Sequence, residues 1–223
     1  MNDSGRVEAF SDGVFAVAIT LLILEIKVPL NAGDHLWQDL GHQWPSYAAY
    51  VVTFLNIGIM WVNHHTVFGF VERVDRTLLF LNLLLLMGVV ALPWPAALVA
   101  DYLTEGHGSG SVSAWTGSHA ARIAVAIYGS FMVYHGILFQ AVWLHLTRTG
   151  NLFYSRVDVE AARATRWRFG LGIAIYPTTV ALAFISAPLT MALHGVLALY
   201  YALNQIPVPV VDEPPASPAA VNP

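Results

Sequence analysis

Long apolar stretches constrain this chain more than any other feature. A helix needs about 20 mainly apolar residues to cross a bilayer. The sequence offers six such stretches, at about 5–28, 44–65, 77–102, 120–146, 167–185 and 188–204. Backbone polar groups in hydrocarbon must be satisfied within the segment, which favours helices over an open sheet. Only 11% of the residues are charged, against about 25% in an ordinary soluble domain. The expected fold class is an all-α, multi-pass integral membrane protein with six transmembrane helices per subunit.

The punctuation agrees. Pro29 closes the first stretch, and Trp44-Pro45 opens the second, where proline suits a first helical turn. Gly106 to Ser113 reads as a glycine/serine connection, and Ser186-Ala187-Pro188 as a tight hairpin between the last two spans. Residues 1–206 therefore form one six-span unit. Residues 207–223 are rich in proline and poor in hydrophobic residues, and are expected to be disordered. No internal repeat is evident. The first apolar stretch follows Glu8 and Asp12 and runs into Glu25 and Lys27, unlike a cleavable signal peptide.

Six spans put both termini on one side. That side receives Arg6, Arg73, Arg76, Arg148, Arg156, Arg163, Arg166 and Arg168, and the other only Lys27 and Arg122. Basic residues mark the cytoplasmic side, so both termini are expected in the cytoplasm of a protein of the cell (plasma) membrane. There is no cysteine, which excludes thiol catalysis, thiolate metal sites and disulfides. H-E-x-x-H, G-x-S-x-G and the Walker motif are absent, so neither an enzyme nor a cofactor is expected. No basic stripe points to nucleic acid. Asn56, Asn82, His135, Gln140 and His194 fall within spans, where interhelical hydrogen bonds are expected.

The first stretch is unusual. Its apolar part, Gly13 to Leu24, is interrupted only by Thr20 and is short for a helix facing lipid. At 100° per residue Arg6, Phe10, Gly13, Val17, Thr20, Leu21, Leu24 and Val28 share one stripe, with Glu8 and Asp12 roughly opposite. Periodicity leaves two readings open. The stripe packs against a neighbouring helix while Glu8 and Asp12 bond to other helices, or it lines a pore among several copies of this helix.

The run Arg6-Val7-Glu8-Ala9-Phe10-Ser11-Asp12 resembles the R-x-x-x-F-S-D signature of the transmembrane-protein-175 potassium channels. The continuation Gly13 to Thr20, then Leu-Leu-Ile-Leu-Glu-Ile, is similar to the bacterial members. Trp61-x-x-His64-x-x-x-Phe68 is a second, weaker match. The resemblance implies a potassium-permeable cation channel, leak-like, passing monovalent cations with potassium as the permeant ion. The family lacks a TVGYG filter, and the sequence has none. Single-repeat members are homotetramers, so self-association in the lipid bilayer is implied.

Carried over by position, the constriction falls on Val17, Leu21 and Leu24, with Thr20 the polar residue beside it. Valine at position 17 is smaller than the residue usual there. Arg6, Phe10, Ser11, Asp12, Trp61 and His64 are implied to form a signature and assembly network that holds the first helix. An apolar ring opposes ions by dewetting, which costs strongly hydrated sodium more than potassium. The alternative, from another class, is a secondary transporter or proton-coupled carrier using the membrane histidines; a non-conducting scaffold is a third reading.

Overall fold

The structure is a computed structural model that describes residues 2–29, 33–105 and 116–203. The glycine/serine connection at 106–113 and the tail from 207 lie outside the described residues. A two-residue strand β1 (Asn2–Asp3) leads into α1 (Ser4–Leu21), which tightens into a 3-10 turn (Leu22–Glu25). A second 3-10 turn (Gly33–His35) and α2 (Leu36–His42) precede α3 (Trp44–Phe68). Strand β2 (Arg73–Val74) follows, then α4 (Arg76–Ala91), α5 (Pro93–Glu105), α6 (His119–Thr149), α7 (Val159–Ala164), α8 (Arg166–Ala183) and α9 (Ala187–Leu203).

Local chemistry sets these boundaries. Pro45 lies in the first turn of α3. The Asp75 carboxylate accepts from the Leu78 N–H at 2.7 Å and caps α4, and the Ser118 hydroxyl accepts from the Ala121 N–H at 3.0 Å and caps α6. Gly150, at φ 71°, ends α6 while its N–H bonds to the Leu146 carbonyl; glycine takes this left-handed backbone without steric cost. The apolar stretch expected as one helix at 77–102 is two helices that meet at Leu92. Pro93 has no N–H to donate back to Val89, and the Leu92 N–H bonds to Val89 one residue early, at 3.2 Å.

Among the described residues, four helical segments are long and apolar enough to cross a membrane: Ser4–Glu25, Trp44–Phe68, Arg76–Leu103 (α4 and α5 together) and His119–Thr149. Ile173–Ala183 and Ala187–Ala202 are shorter apolar helices. The larger core gathers Phe15 and Ala18 of α1 and Leu22 of the 3-10 turn with Ile57, Leu85 and Tyr128 of neighbouring helices. α1 packs on α3 and α4, at one side of the bundle. A second core, with Val71, Leu78, Trp143 and Phe153, consolidates one end. There β1 pairs antiparallel with β2, Asn2 opposite Val74, and Val71 bridges to Phe153. These pairings draw Arg6, Arg73, Arg76, Arg148 and Arg156 to the same end. Lys27 lies at the far end of α1, in an ion pair with Asp101 of α5.

Candidate functional site

α1 has two unlike faces. Ser11, Phe15 and Ala18 are buried on the side that packs on α3 and α4, and Leu22, in the 3-10 turn that follows, is buried where the turn packs on α3 and α5. The stripe picked out by periodicity is turned outward: Phe10, Val17, Leu21, Leu24 and Val28 are exposed in the subunit, Val17 by 53% and Leu24 by 72%. Arg6, Gly13 and Thr20 are exposed with them. The stripe does not pack on the described residues of its own subunit, while Asp12 and Glu8 do bond to another helix, α3. The Thr20 hydroxyl donates to the Val17 carbonyl at 2.9 Å, on its own helix.

Polar contacts pin the other faces of α1. The Ser11 hydroxyl donates to the Val7 carbonyl at 2.8 Å and accepts from the Asn82 amide at 3.0 Å. The Asn82 carbonyl oxygen in turn accepts from His64 Nε2 at 2.8 Å. An amide that donates to Ser11 has only its oxygen left for His64, which assigns the proton to Nε2. The His64 ring lies between Phe68, stacked at 4.2 Å, and Phe15, tilted at 5.4 Å. Trp61 Nε1 donates to Asp12 at 2.8 Å. His65 Nδ1 meets Glu8 at 2.8 Å while its ring stacks on Trp61. Polar groups buried at membrane depth are costly unless paired, and this lattice pairs Ser11, Asn82 and His64 Nε2 across α1, α3 and α4, leaving His64 Nδ1 without a hydrogen bond among the described residues.

Ser11, Asp12, Trp61 and His64 are thus brought together, His64 reaching Ser11 through Asn82. Arg6 and Phe10 are not among them: both face outward, and Arg6 has no hydrogen bond or ion pair among the described residues. The sequence reading missed Asn82 as the bridge and His65 as the partner of Glu8. The signal for Asn82 was a single amide in the run Leu81-Asn82-Leu83-Leu84-Leu85-Leu86.

The polar residues of the other spans divide. Asn56 donates to the Tyr128 hydroxyl at 3.1 Å, joining α3 to α6. His135 instead bonds the Phe131 carbonyl of its own helix. His194 is packed by the rings of Tyr128 and Tyr176, and neither of its ring nitrogens has a hydrogen bond among the described residues. The Gln140 side-chain oxygen is likewise without one. Among the described residues, no interhelical hydrogen bond is seen for His135, His194 or the Gln140 side-chain oxygen.

The family described as endosomal/lysosomal potassium channel TMEM175 matches residues 6–93, which hold α1 and its partners on α3 and α4. A potassium channel of Streptomyces collinus is 63% identical over 210 residues, covering 94% of this chain and 96% of that protein. The mouse endosomal/lysosomal proton channel TMEM175 is 28% identical over 213 residues, 92% of this chain and 40% of the mouse protein. The fold is similar to the crystal structure of a lysosomal potassium-selective channel TMEM175 homologue from Chamaesiphon minutus, with a TM-score of 0.75 and 38% identity, covering 90% of this chain and 96% of that one. By the extent and identity of these matches, the chain is a multi-pass membrane protein that belongs to the TMEM175 family.

Proposed function

We propose that four copies assemble around the outward stripe of α1 to form a potassium-permeable, leak-like cation channel of the plasma membrane. One observation carries the reading: an apolar stripe stays exposed on a helix whose other faces are fixed by Phe15, Ala18, Leu22 and the Ser11–Asn82–His64 lattice. A helix built to face lipid does not need its flanks pinned by carboxylates. A helix that must hold a stripe at a set angle to a common axis does. The Streptomyces and Chamaesiphon relatives, named as potassium channels, support the permeant ion.

In this reading each subunit has six spans, with α8 and α9 as the last two and both termini cytoplasmic. Val17, Leu21 and Leu24 form the constriction, Thr20 lies beside it, and the lattice sets the tilt of α1. There is no carbonyl filter of the TVGYG kind. A narrow apolar ring excludes water and selects by dehydration, so discrimination between potassium and sodium is moderate. No cofactor is needed. In this reading residues 1–206 form one six-span domain.

The carrier reading would run through the membrane histidines. His135 is tied to its own helix and His194 is boxed by aromatic rings, neither of which suits an accessible substrate site. Planar-bilayer recording of the purified protein in a potassium/sodium gradient tests the proposal. The expected result is unitary current with a reversal potential toward that of potassium. Saturating flux at carrier rates would favour the transporter, and zero flux from an intact oligomer the scaffold. Because animal relatives are named proton channels, a pH gradient imposed on the same bilayer decides whether protons also pass. In this cysteine-free chain, cysteine at Leu24 should cross-link neighbouring subunits; a monodisperse monomer in lipid would sink the assembly.

A further inference from the structure

α1 is a regular α-helix only as far as Leu21. Leu24 stands in the 3-10 turn Leu22–Glu25, and the chain is extended from Ile26. Residues three apart eclipse one another in such a turn. Leu24 therefore falls in line with Leu21, about 6 Å farther along the axis. This turn decides whether the two leucines stack on one stripe.

Little within the turn fixes it. The Ile26 N–H bonds to Ile23 at 3.2 Å, and Leu22 is its buried side chain. Behind it the turn packs on α3 and α5, and the crevice left between Leu22, Ile26, Tyr50 and Ala100 has room for about one water molecule, so the turn can shift only slightly. Just beyond it, the Lys27 ammonium donates to both carboxylate oxygens of Asp101, at 2.6 and 2.7 Å. Asp101 belongs to α5, whose neighbouring Val99 and Ala100 are buried. The side chains of the pair are 70% and 42% exposed, so it adds little to stability. Its leverage is geometric: Lys27 follows Leu24 by three residues, and a two-point contact fixes where the chain leaves the turn.

We propose that the Lys27–Asp101 pair is a latch that sets the pore width at Leu24, which makes both of them positioning residues for ion passage. The inference rests on the reading of the α1 stripe as pore wall. Releasing either partner lets the turn shift toward the crevice and widens the Leu24 ring slightly.

The test is single-channel recording of the reconstituted full chain for wild type, Lys27→Gln, Asp101→Asn and the swap Lys27→Asp/Asp101→Lys, with Leu24→Ala as reference. Both neutralisations are expected to raise potassium conductance by about two- to fivefold and to weaken discrimination against sodium. The swap should return both quantities to the wild-type range. A fixed mouth charge acts differently: Lys27→Gln would raise cation current and Asp101→Asn would lower it. That opposite-sign result, or no change in either variant with tetramers intact, overturns the latch.

If wild type carries no current, or Leu24→Ala changes nothing, the pore reading itself fails and the latch falls with it; a latch that fails alone leaves the Leu24→Ala response in place.

Discussion

Asn82 is the residue on which the anchoring of α1 turns. Its amide spends both ends inside the protein, donating to Ser11 and accepting from His64. Asn82→Ala leaves the buried His64 Nε2–H without an acceptor. A buried donor left unsatisfied costs about 1–3 kcal/mol, while partners found in the membrane-unfolded chain reduce such losses to about 0.6–2 kcal/mol. The expected outcome is a loss of about 1–2 kcal/mol, read as a lower thermal midpoint in detergent, with unitary current kept in channels that assemble. Asp12 acts at the lattice edge, through Trp61. Asp12→Ala is expected to lower tetramer yield on size-exclusion chromatography, leaving ion preference unchanged. Normal assembly with altered selectivity would move Asp12 from the anchor to the pore. A lone amide in a leucine run could be seen as out of place from sequence. Its partners could not, because Ser11 lies 71 residues away and no local rule links them.

At the scale of the helix, glycine marks where two elements approach closely. A Cβ added at Gly88 of α4 would lie 2.5 Å from the Tyr134 ring and 3.0 Å from the His135 ring of α6. Tyr134 can swing away only by giving up the bond from its hydroxyl to the Leu84 carbonyl, 2.7 Å long, and His135 is buried. Gly88→Ala is therefore expected to destabilise the fold by about 1–3 kcal/mol, the range for overpacking. Gly58 of α3 has nothing within 4 Å of the same position, so Gly58→Ala should be neutral or stabilise by up to about 1 kcal/mol through helix propensity. Thermal melts of the two variants should move in opposite directions or differ by at least that gap; equal shifts would mean that Gly88 is not a contact point. Of the chemical markers at helix ends, Pro45 was legible in the sequence, whereas the caps Asp75, Ser118 and Gly150 emerge only from the structure. Faces were legible only where apolar and polar residues alternate with a helical period, as on α1. The run Leu83 to Leu86 carries no period, yet Leu83 and Leu84 face outward while Leu85 and Leu86 are buried. The seven-residue α2 gave no signal, being shorter than any pattern that periodicity can resolve.

For the whole molecule, the question is what the exposed stripe of α1 meets. If four stripes meet at one axis, side-chain bulk limits both water entry and ion passage. Two effects then follow together from removing bulk. More water enters, which raises conductance, and the dehydration penalty separating sodium from potassium shrinks. Leu24→Ala should raise single-channel current and move the reversal potential toward that of a non-selective cation pore. Val17→Ala should do less, because valine is already small and its side chain is less exposed than that of Leu24. Leu83→Ala is the control: Leu83 is an exposed leucine on α4, away from the stripe, and its loss should change neither quantity. If lipid rather than a pore covered the stripe, Leu24→Ala and Leu83→Ala would behave alike. The comparison is made in matched potassium and sodium solutions, with tetramer content checked for each variant. A change in conductance without a change in selectivity would mean that the Leu24 ring limits flow while another level sorts ions, and Thr20, one turn before it and exposed on the same stripe, is where the search would go. No change in either quantity, with tetramers intact, would remove the apolar ring from the mechanism.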